Sequence, residues 1–172
     1  GTMVVKEEKK LEREIVTGIS VSDNEANVSL KGIPDKPGIA GEIFSLLSEA
    51  NINVDMIVQN ISQDGISANI TFTVPNSEVD KAQIILKNNE KKIKFKSLNT
   101  NENVSKISVI GMGMMSQSGV AQKMFKTLAD KSINILAIST SEIKISVLIN
   151  KKFTNIAVKS LHKAYNLNIK KR

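Results

Sequence analysis

The run Asp35-Lys36-Pro37-Gly38-Ile39-Ala40 brings together the groups from which an amino-acid site is made. Glycine at the mouth of a helix lets backbone N–H groups approach an anion closely, and the helix dipole favours a carboxylate there. Asp35 supplies the opposite charge that an ammonium group needs. One small zwitterion satisfies both. Proline and glycine also build a tight strand-to-helix turn for geometry alone, and these six residues by themselves leave that reading open.

No catalytic constellation accompanies this loop. The single histidine, His162, falls on the polar flank of a predicted helix with Lys159 and Lys163, the pattern of an exposed surface histidine. With no cysteine and no second histidine, a transition-metal site is not expected. Carboxylates are scattered, and no pair is spaced for acid–base work. Gly111-Met112-Gly113-Met114-Met115-Ser116 resembles the start of a dinucleotide loop, but Ser116 stands at the third glycine position and no long parallel βαβ unit surrounds it. Its methionines read as deformable apolar lining for an interface or pocket.

The elements that position the loop follow from periodicity. Ile15–Val21 and Ala26–Ile33 read as two strands joined by a hairpin at Ser22-Asp23-Asn24-Glu25. After the loop, Ile39, Ile43, Phe44, Leu46, Leu47 and Ala50 recur at helical spacing. Val54–Ile61 and Ser67–Val74 are predicted strands around Gln63-Asp64-Gly65, and Ser77 is placed to cap a helix carrying Val79, Ala82, Ile85 and Leu86. The order then recurs, with strands at Ile93–Ser97 and Val104–Ile110, a helix at Gly119–Lys131, strands at Ile135–Thr140 and Ile143–Ile149, and a helix at Thr154–Tyr165.

That recurrence is also literal. Gly38, Ala40, Phe44, Leu47, Ile52, Asn53 and Ile57 match Gly119, Ala121, Phe125, Leu128, Ile133, Asn134 and Ile138 at one constant offset of 81. A repeat of this length is a small domain with its own core. The expected division is a charged lead-in at 1–14, one domain at 15–92 and a second at 93–172. Each copy alternates strand and helix as β-α-β-β-α-β once the frame is shifted by one strand. The expected fold class is therefore α+β, two ferredoxin-like domains whose antiparallel sheets carry helices on one face and pair side by side.

Composition narrows the class of function. The net charge of +7 invites a nucleic-acid reading, yet much of it is interleaved with acids, as in Lys6-Glu7-Glu8-Lys9-Lys10. Aromatics make up 3% of the chain, too few for base-stacking platforms, and the predicted strands Val54–Ile61 and Ile135–Thr140 hold none. There is no apolar run of transmembrane length and no signal-peptide core, so neither nucleic acid nor membrane is an expected partner and the cytoplasm is the expected compartment.

Several stretches together resemble the C-terminal regulatory region of aspartate kinase (aspartokinase), a tandem pair of ACT domains. They are Val16-Thr17-Gly18-Ile19, the loop from Gly32 to Gly38, Ile52-Asn53-Val54-Asp55-Met56-Ile57-Val58-Gln59-Asn60, Thr71-Phe72-Thr73-Val74, Val109-Ile110-Gly111-Met112-Gly113-Met114, and Ile138 to Ile149. The resemblance implies a homodimer in which the first copy of one chain faces the second copy of the other, with lysine, threonine or both as effectors at the interface and no other cofactor. Carried over by position, the effector site comprises Asp35, Lys36, Pro37, Gly38, Ile39, Ala40 and Gln59, with Asn134 and Ile135 from the facing copy. A possible second site uses Ser116, Gly119, Val120, Asn53, Val54, Asp55, Ser139, Thr140, Ser141 and Glu142. There the chain departs from the family, with Ser118 before Gly119 and Ser116-Gln117 in place of the Asp-Lys pair, so the second loop lacks a charged partner.

By the same resemblance the chain holds no catalytic residue. It answers to a catalytic lobe that phosphorylates the aspartate side chain with ATP and that is absent from this chain. The expected function is feedback regulation, with an RNA-binding βαββαβ module or a ligand-free dimerisation domain as the competing readings.

Overall fold

In the computed structural model, residues 16–112 and 118–167 are described. The first strand, β1 (Val16–Pro34), is followed by α1 (Ile39–Glu49), β2 (Asp55–Ile61) and β3 (Ser67–Pro75). A 3-10 turn (Asn76–Glu78) leads into α2 (Val79–Asn88) and the single-turn α3 (Glu90–Ile93). Next come β4 (Ser97–Gly111), α4 (Ser118–Asp130), β5 (Ala137–Thr140), β6 (Lys144–Asn150), a second 3-10 turn (Lys151–Phe153) and α5 (Thr154–Ala164).

Packing divides the chain into two compact units. One consists of residues 24–104; the other joins the β1 residues up to Asp23 to the chain from Ser105 onward. The division expected at 92/93 is one of sequence; in packing, the long strands β1 and β4 each serve both units. In the first unit the strand order is β2-β3-β1-β4, and in the second β1-β4-β6-β5. Each unit is thus a four-stranded sheet with two principal helices, the ferredoxin-like arrangement expected from the repeat.

The uninterrupted β1 corrects the hairpin expected at Ser22-Asp23-Asn24-Glu25. These are turn-forming residues, but their surroundings give them other partners. The Ser105 hydroxyl donates to Asp23 Oδ1 at 2.7 Å, and from Glu25 onward β1 pairs antiparallel with β3, Glu25 opposite Pro75 and Ala26 opposite Val74. Tertiary pairing overrides a local turn preference of this size. The strand expected at Ile93–Ser97 is a second correction. Ile93 closes the helical turn α3, Lys94 turns the chain at φ 61°, and β4 starts only at Ser97. Ile93 and Phe95 are buried in the first core, so the alternation that suggested a strand is the packing of a turn. Ser77 caps no helix either, since it lies within the 3-10 turn and α2 begins after Glu78 without a side-chain cap.

Each core lies between a sheet and its helices. In the first, Ile39, Ile43 and Leu47 of α1 meet Val28, Leu30, Ile70 and Phe72, and Ala82 and Leu86 of α2 complete it. In the second, Val120, Met124 and Leu128 of α4 meet Ile107, Val109, Ile145 and Val147, with Ala157 and Leu161 from α5. The first helix of each unit ends alike. Asn51 and Ser132 take left-handed φ of 58° and 56°, and the next amides, Ile52 and Ile133, donate to the Leu47 and Leu128 carbonyls at 3.0 Å. This six-to-one closure satisfies carbonyls that a helix end leaves open.

Candidate functional site

The loop after β1 is held at both ends. Pro34 pairs with Ser67, the Asp35 N–H donates to the Ile66 carbonyl at 3.1 Å, and the Lys36 N–H to the Pro34 carbonyl at 3.1 Å. Gly38 follows as the N-cap of α1 with φ 91°, a conformation a side chain resists, and the space its Cβ would occupy is empty within 4 Å. Glycine is needed here for backbone conformation and not for want of room at its own Cα. No side chain caps α1. Ile39 N–H is turned back to the Lys36 carbonyl at 3.4 Å. Asp35, Lys36, Pro37 and Gly38 are exposed, Ala40 is half-buried and Ile39 is buried as an anchor.

Gln59 lies on the edge strand β2. Because it stands opposite Ile70, a residue of the first core, its side chain belongs to the helix-bearing face of the sheet. Strands β1 and β2 both run antiparallel to β3 and therefore parallel to one another, so their C-terminal ends share one end of the sheet. The loop 35–40 and Gln59 thus share both face and end. Sequence reasoning missed the third contributor, the β2–β3 turn. There Ile66 is 77% exposed while its carbonyl ties the loop, and Ile61, two residues beyond Gln59, is 68% exposed. The signal available was an apolar Ile66 beside a Gly in a turn, where burial gives no reason for it.

The Asp64 carboxylate builds that turn. Its Oδ1 accepts from the Ile66 and Ser67 amides at 2.9 Å, and the Ser67 hydroxyl donates to it as well. These bonds, the Ser67 amide first, hold its pKa below the ordinary carboxylate value.

The residues of the possible second site are distributed differently. Asn53 and Val54 line a groove of about 410 Å³ with Phe44, Ser48, Asn51 and Ile57, at the opposite end of β2 from the loop. Asp55 lies just beyond, its Oδ1 accepting from the Met56 amide at 2.8 Å. In the second unit Thr140 stands opposite the buried Ile145 and so faces the helices as Gln59 does, while Ser139 stands opposite Ser146 on the other face. The Ser141 hydroxyl accepts from the Ile143 amide at 3.4 Å, and Glu142 is exposed. Gly119 lies inside α4, and the Val120 carbonyl accepts the Tyr165 hydroxyl at 2.5 Å. Asn134 is exposed and Ile135 half-buried, both in the second unit. Ser116 and most of the Gly111–Ser116 run lie outside the described residues. His162 is half-buried rather than exposed, with Nδ1 2.9 Å from the Val158 carbonyl. Among the described residues no three His, Cys, Asp or Glu side chains gather as metal ligands, and no helix is long and apolar enough to cross a membrane.

A family model of the ACT domain matches residues 27–89 and 107–165. Aspartate kinase of Pseudomonas fluorescens (strain SBW25) is 45% identical over 168 residues, which are 97% of this chain and 40% of that protein. Aspartokinase of Helicobacter pylori (strain 26695) is 46% identical over 171 residues, 97% of this chain and 42% of that one. The chain therefore spans about two fifths of the length of these relatives. Among solved structures, one of aspartokinase alpha and beta subunits superposes with a TM-score of 0.82 at 45% identity, over 88% of this chain and 99% of that one. The ligand-free regulatory subunit of aspartate kinase from Thermus thermophilus gives 0.83 at 34% identity, over 87% and 98%. The chain is a tandem pair of ACT domains and belongs to the aspartokinase family, of which it is the regulatory part.

Proposed function

We propose that the first ACT domain binds a free amino acid, lysine, threonine or both, and that occupancy feeds back on the catalytic lobe of an aspartate kinase. The observation that carries this reading is the uncapped, glycine-led start of α1 lying on the same face and at the same end of the sheet as Gln59. With Ile39 N–H engaged by the Lys36 carbonyl, the donors for the effector carboxylate are the amides of Ala40 and Gly41, the first-turn groups that a helix cannot satisfy internally. Asp35 offers a carboxylate to the α-ammonium group. Gln59 offers donor and acceptor to a side-chain hydroxyl or ammonium.

A homodimer completes the site in this reading, with Asn134 and Ile135 of the second domain of a partner copy closing over the loop. Both edge strands are suited to being covered. Ile57 and Ile61 on β2 and Leu136 and Ile138 on or beside β5 are each at least 44% exposed, and exposed apolar strand edges are ordinarily paired or shielded. Effector binding then stabilises one arrangement of the dimer, and inhibition follows only if the two arrangements bind the effector unequally, by a coupling of order 1–3 kcal/mol. Titration calorimetry of the chain with lysine and with threonine, alongside its mass in solution, tests this. Heat and a thermal shift with one or both are expected. A dimer indifferent to both at saturation would leave a constitutive assembly domain.

A further inference from the structure

The paired helices α1–α2 and α4–α5 carry opposite net charge. Over residues 38–50 and 76–89, which hold α1 and α2 of the first domain, four acids (Glu42, Glu49, Glu78, Asp80) accompany two lysines. Over the equivalent residues of the second domain, 119–131 and 151–164, which hold most of α4 and all of α5, seven lysines accompany one acid, Asp130. Buried positions did not change in kind, since Ala82 and Leu86 correspond to Ala157 and Leu161. Positions outside the core did. The exposed Ile84 corresponds to Lys159 and the exposed Lys81 to Ile156, while the half-buried Ala50 and Glu42 correspond to Lys131 and to Lys123, whose ammonium lies 5.7 Å from the Tyr165 ring centroid.

Three of these exchanges, at Lys131, Ile156 and Lys159, meet in a groove of about 670 Å³ between α4 and α5, where Thr127, Asp130 and Lys131 face Ile156, Lys159 and Lys163, three lysines to one acid. The two helices run antiparallel, joined where the Tyr165 hydroxyl reaches the Val120 carbonyl. The α5 side of the groove repeats at three-to-four spacing from Ile156 to Ala164, one helix face about 12 Å long. Lys131, Lys159 and Lys163 are exposed and have no ion pair among the described residues.

We propose that this groove docks an acidic amphipathic helix of a partner protein, its carboxylates against Lys131, Lys159 and Lys163 and an apolar side chain seated on Ile156. Charge complementarity selects the sign of the partner, and the exposed isoleucine at the end of an elongated lysine row selects a peptide over a small anion. A phosphate needs converging donors and has no use for Ile156.

The test uses the whole chain and a fluorescent amphipathic helix of about 18 residues, glutamates on one face and leucines beside them, read by anisotropy at low salt. Saturable binding is expected, weakened at least about tenfold in the double variant Lys159→Glu/Lys163→Glu and in Ile156→Asp, and unchanged in Lys87→Glu on the first domain. Melting curves establish that each variant is folded; these side chains are exposed, so each should be. Three results overturn the proposal: no saturable binding, equal loss in Lys87→Glu, or displacement by inorganic tripolyphosphate or single-stranded RNA that binds equally well to Ile156→Asp.

Discussion

The two ACT domains keep one core and differ at the mouth of the first helix. Ile43, Leu47 and Ile52 and their equivalents Met124, Leu128 and Ile133 are all buried, and both helices close with the same left-handed turn. At the other end, α1 starts at Ile39 behind a left-handed Gly38, whereas the equivalent Gly119 is helical, within α4. Pro37-Gly38 halts one helix where Ser118-Gly119 extends the other. Duplication therefore preserved what packing demands and released the loop, where a change costs little stability and alters what can bind.

If the cores are equivalent, truncating them should be equally damaging. Leu47→Ala and Leu128→Ala, each at a fully buried position, are expected to cost about 2–5 kcal/mol apiece, measured by urea unfolding of the whole chain. A large effect in one domain and a negligible one in the other would break the equivalence.

The site should then separate what the cores leave alike. Gln59 is exposed in the single chain, but once a partner copy closes over the effector, Gln59→Ala leaves an enclosed effector group unpaired, at about 1–3 kcal/mol, and is expected to weaken that effector at least tenfold. Thr140→Ala, at the equivalent place on β5, should leave that affinity within about twofold, a change below about 0.5 kcal/mol. Calorimetric titration of both variants decides it, and equal losses would mean that the loop of the first domain does not distinguish the two sites.

Smaller but opposite in sign are the two glycines. Gly38→Ala forces a side chain into φ 91° and should destabilise by about 1–2 kcal/mol. Gly119→Ala replaces a helical glycine and should stabilise by up to about 1 kcal/mol. Thermal melting of the pair sharpens the contrast: the same substitution at aligned positions, with opposite shifts.

Much of this was legible in the residues. The offset of 81 gave the duplication, and the spacing of Ile39, Ile43 and Leu47 gave the face that α1 buries. The loop residues and Gln59 could be named, but their sharing one face and end rests on strand register, which no local pattern carries. The passage of β1 from one unit to the other was illegible for a related reason. Ser22-Asp23-Asn24-Glu25 is written in turn residues, and only the distant partners Ser105 and Pro75 make it a strand. Likewise Ile93 and Phe95 alternate as a strand would, while the core takes them from a turn.

The hairpin turns provide the weakest contrast, and one that acid should reveal. Asp64 secures the β2–β3 turn with an ionised carboxylate, whereas in the β5–β6 turn the acceptor is the Ser141 hydroxyl, which does not titrate in this range. Backbone N–H bonds favour the charged form of Asp64, so its pKa in the folded chain lies below the ordinary value of about 3.9. For a depressed carboxylate the added stability is present above the unfolded pKa and is lost as pH falls through the folded one. Amide exchange at Ile66 and Ser67 should therefore accelerate, relative to Ile143, as the pH is lowered from about 4 through the folded pKa of Asp64, after correction for the intrinsic rate. Asp64→Asn should remove that pH dependence. Because Asp35 N–H hangs on the Ile66 carbonyl, the same acidification should loosen the loop 35–40, and a loop whose exchange ignores the state of Asp64 would show that the turn and the loop are not coupled.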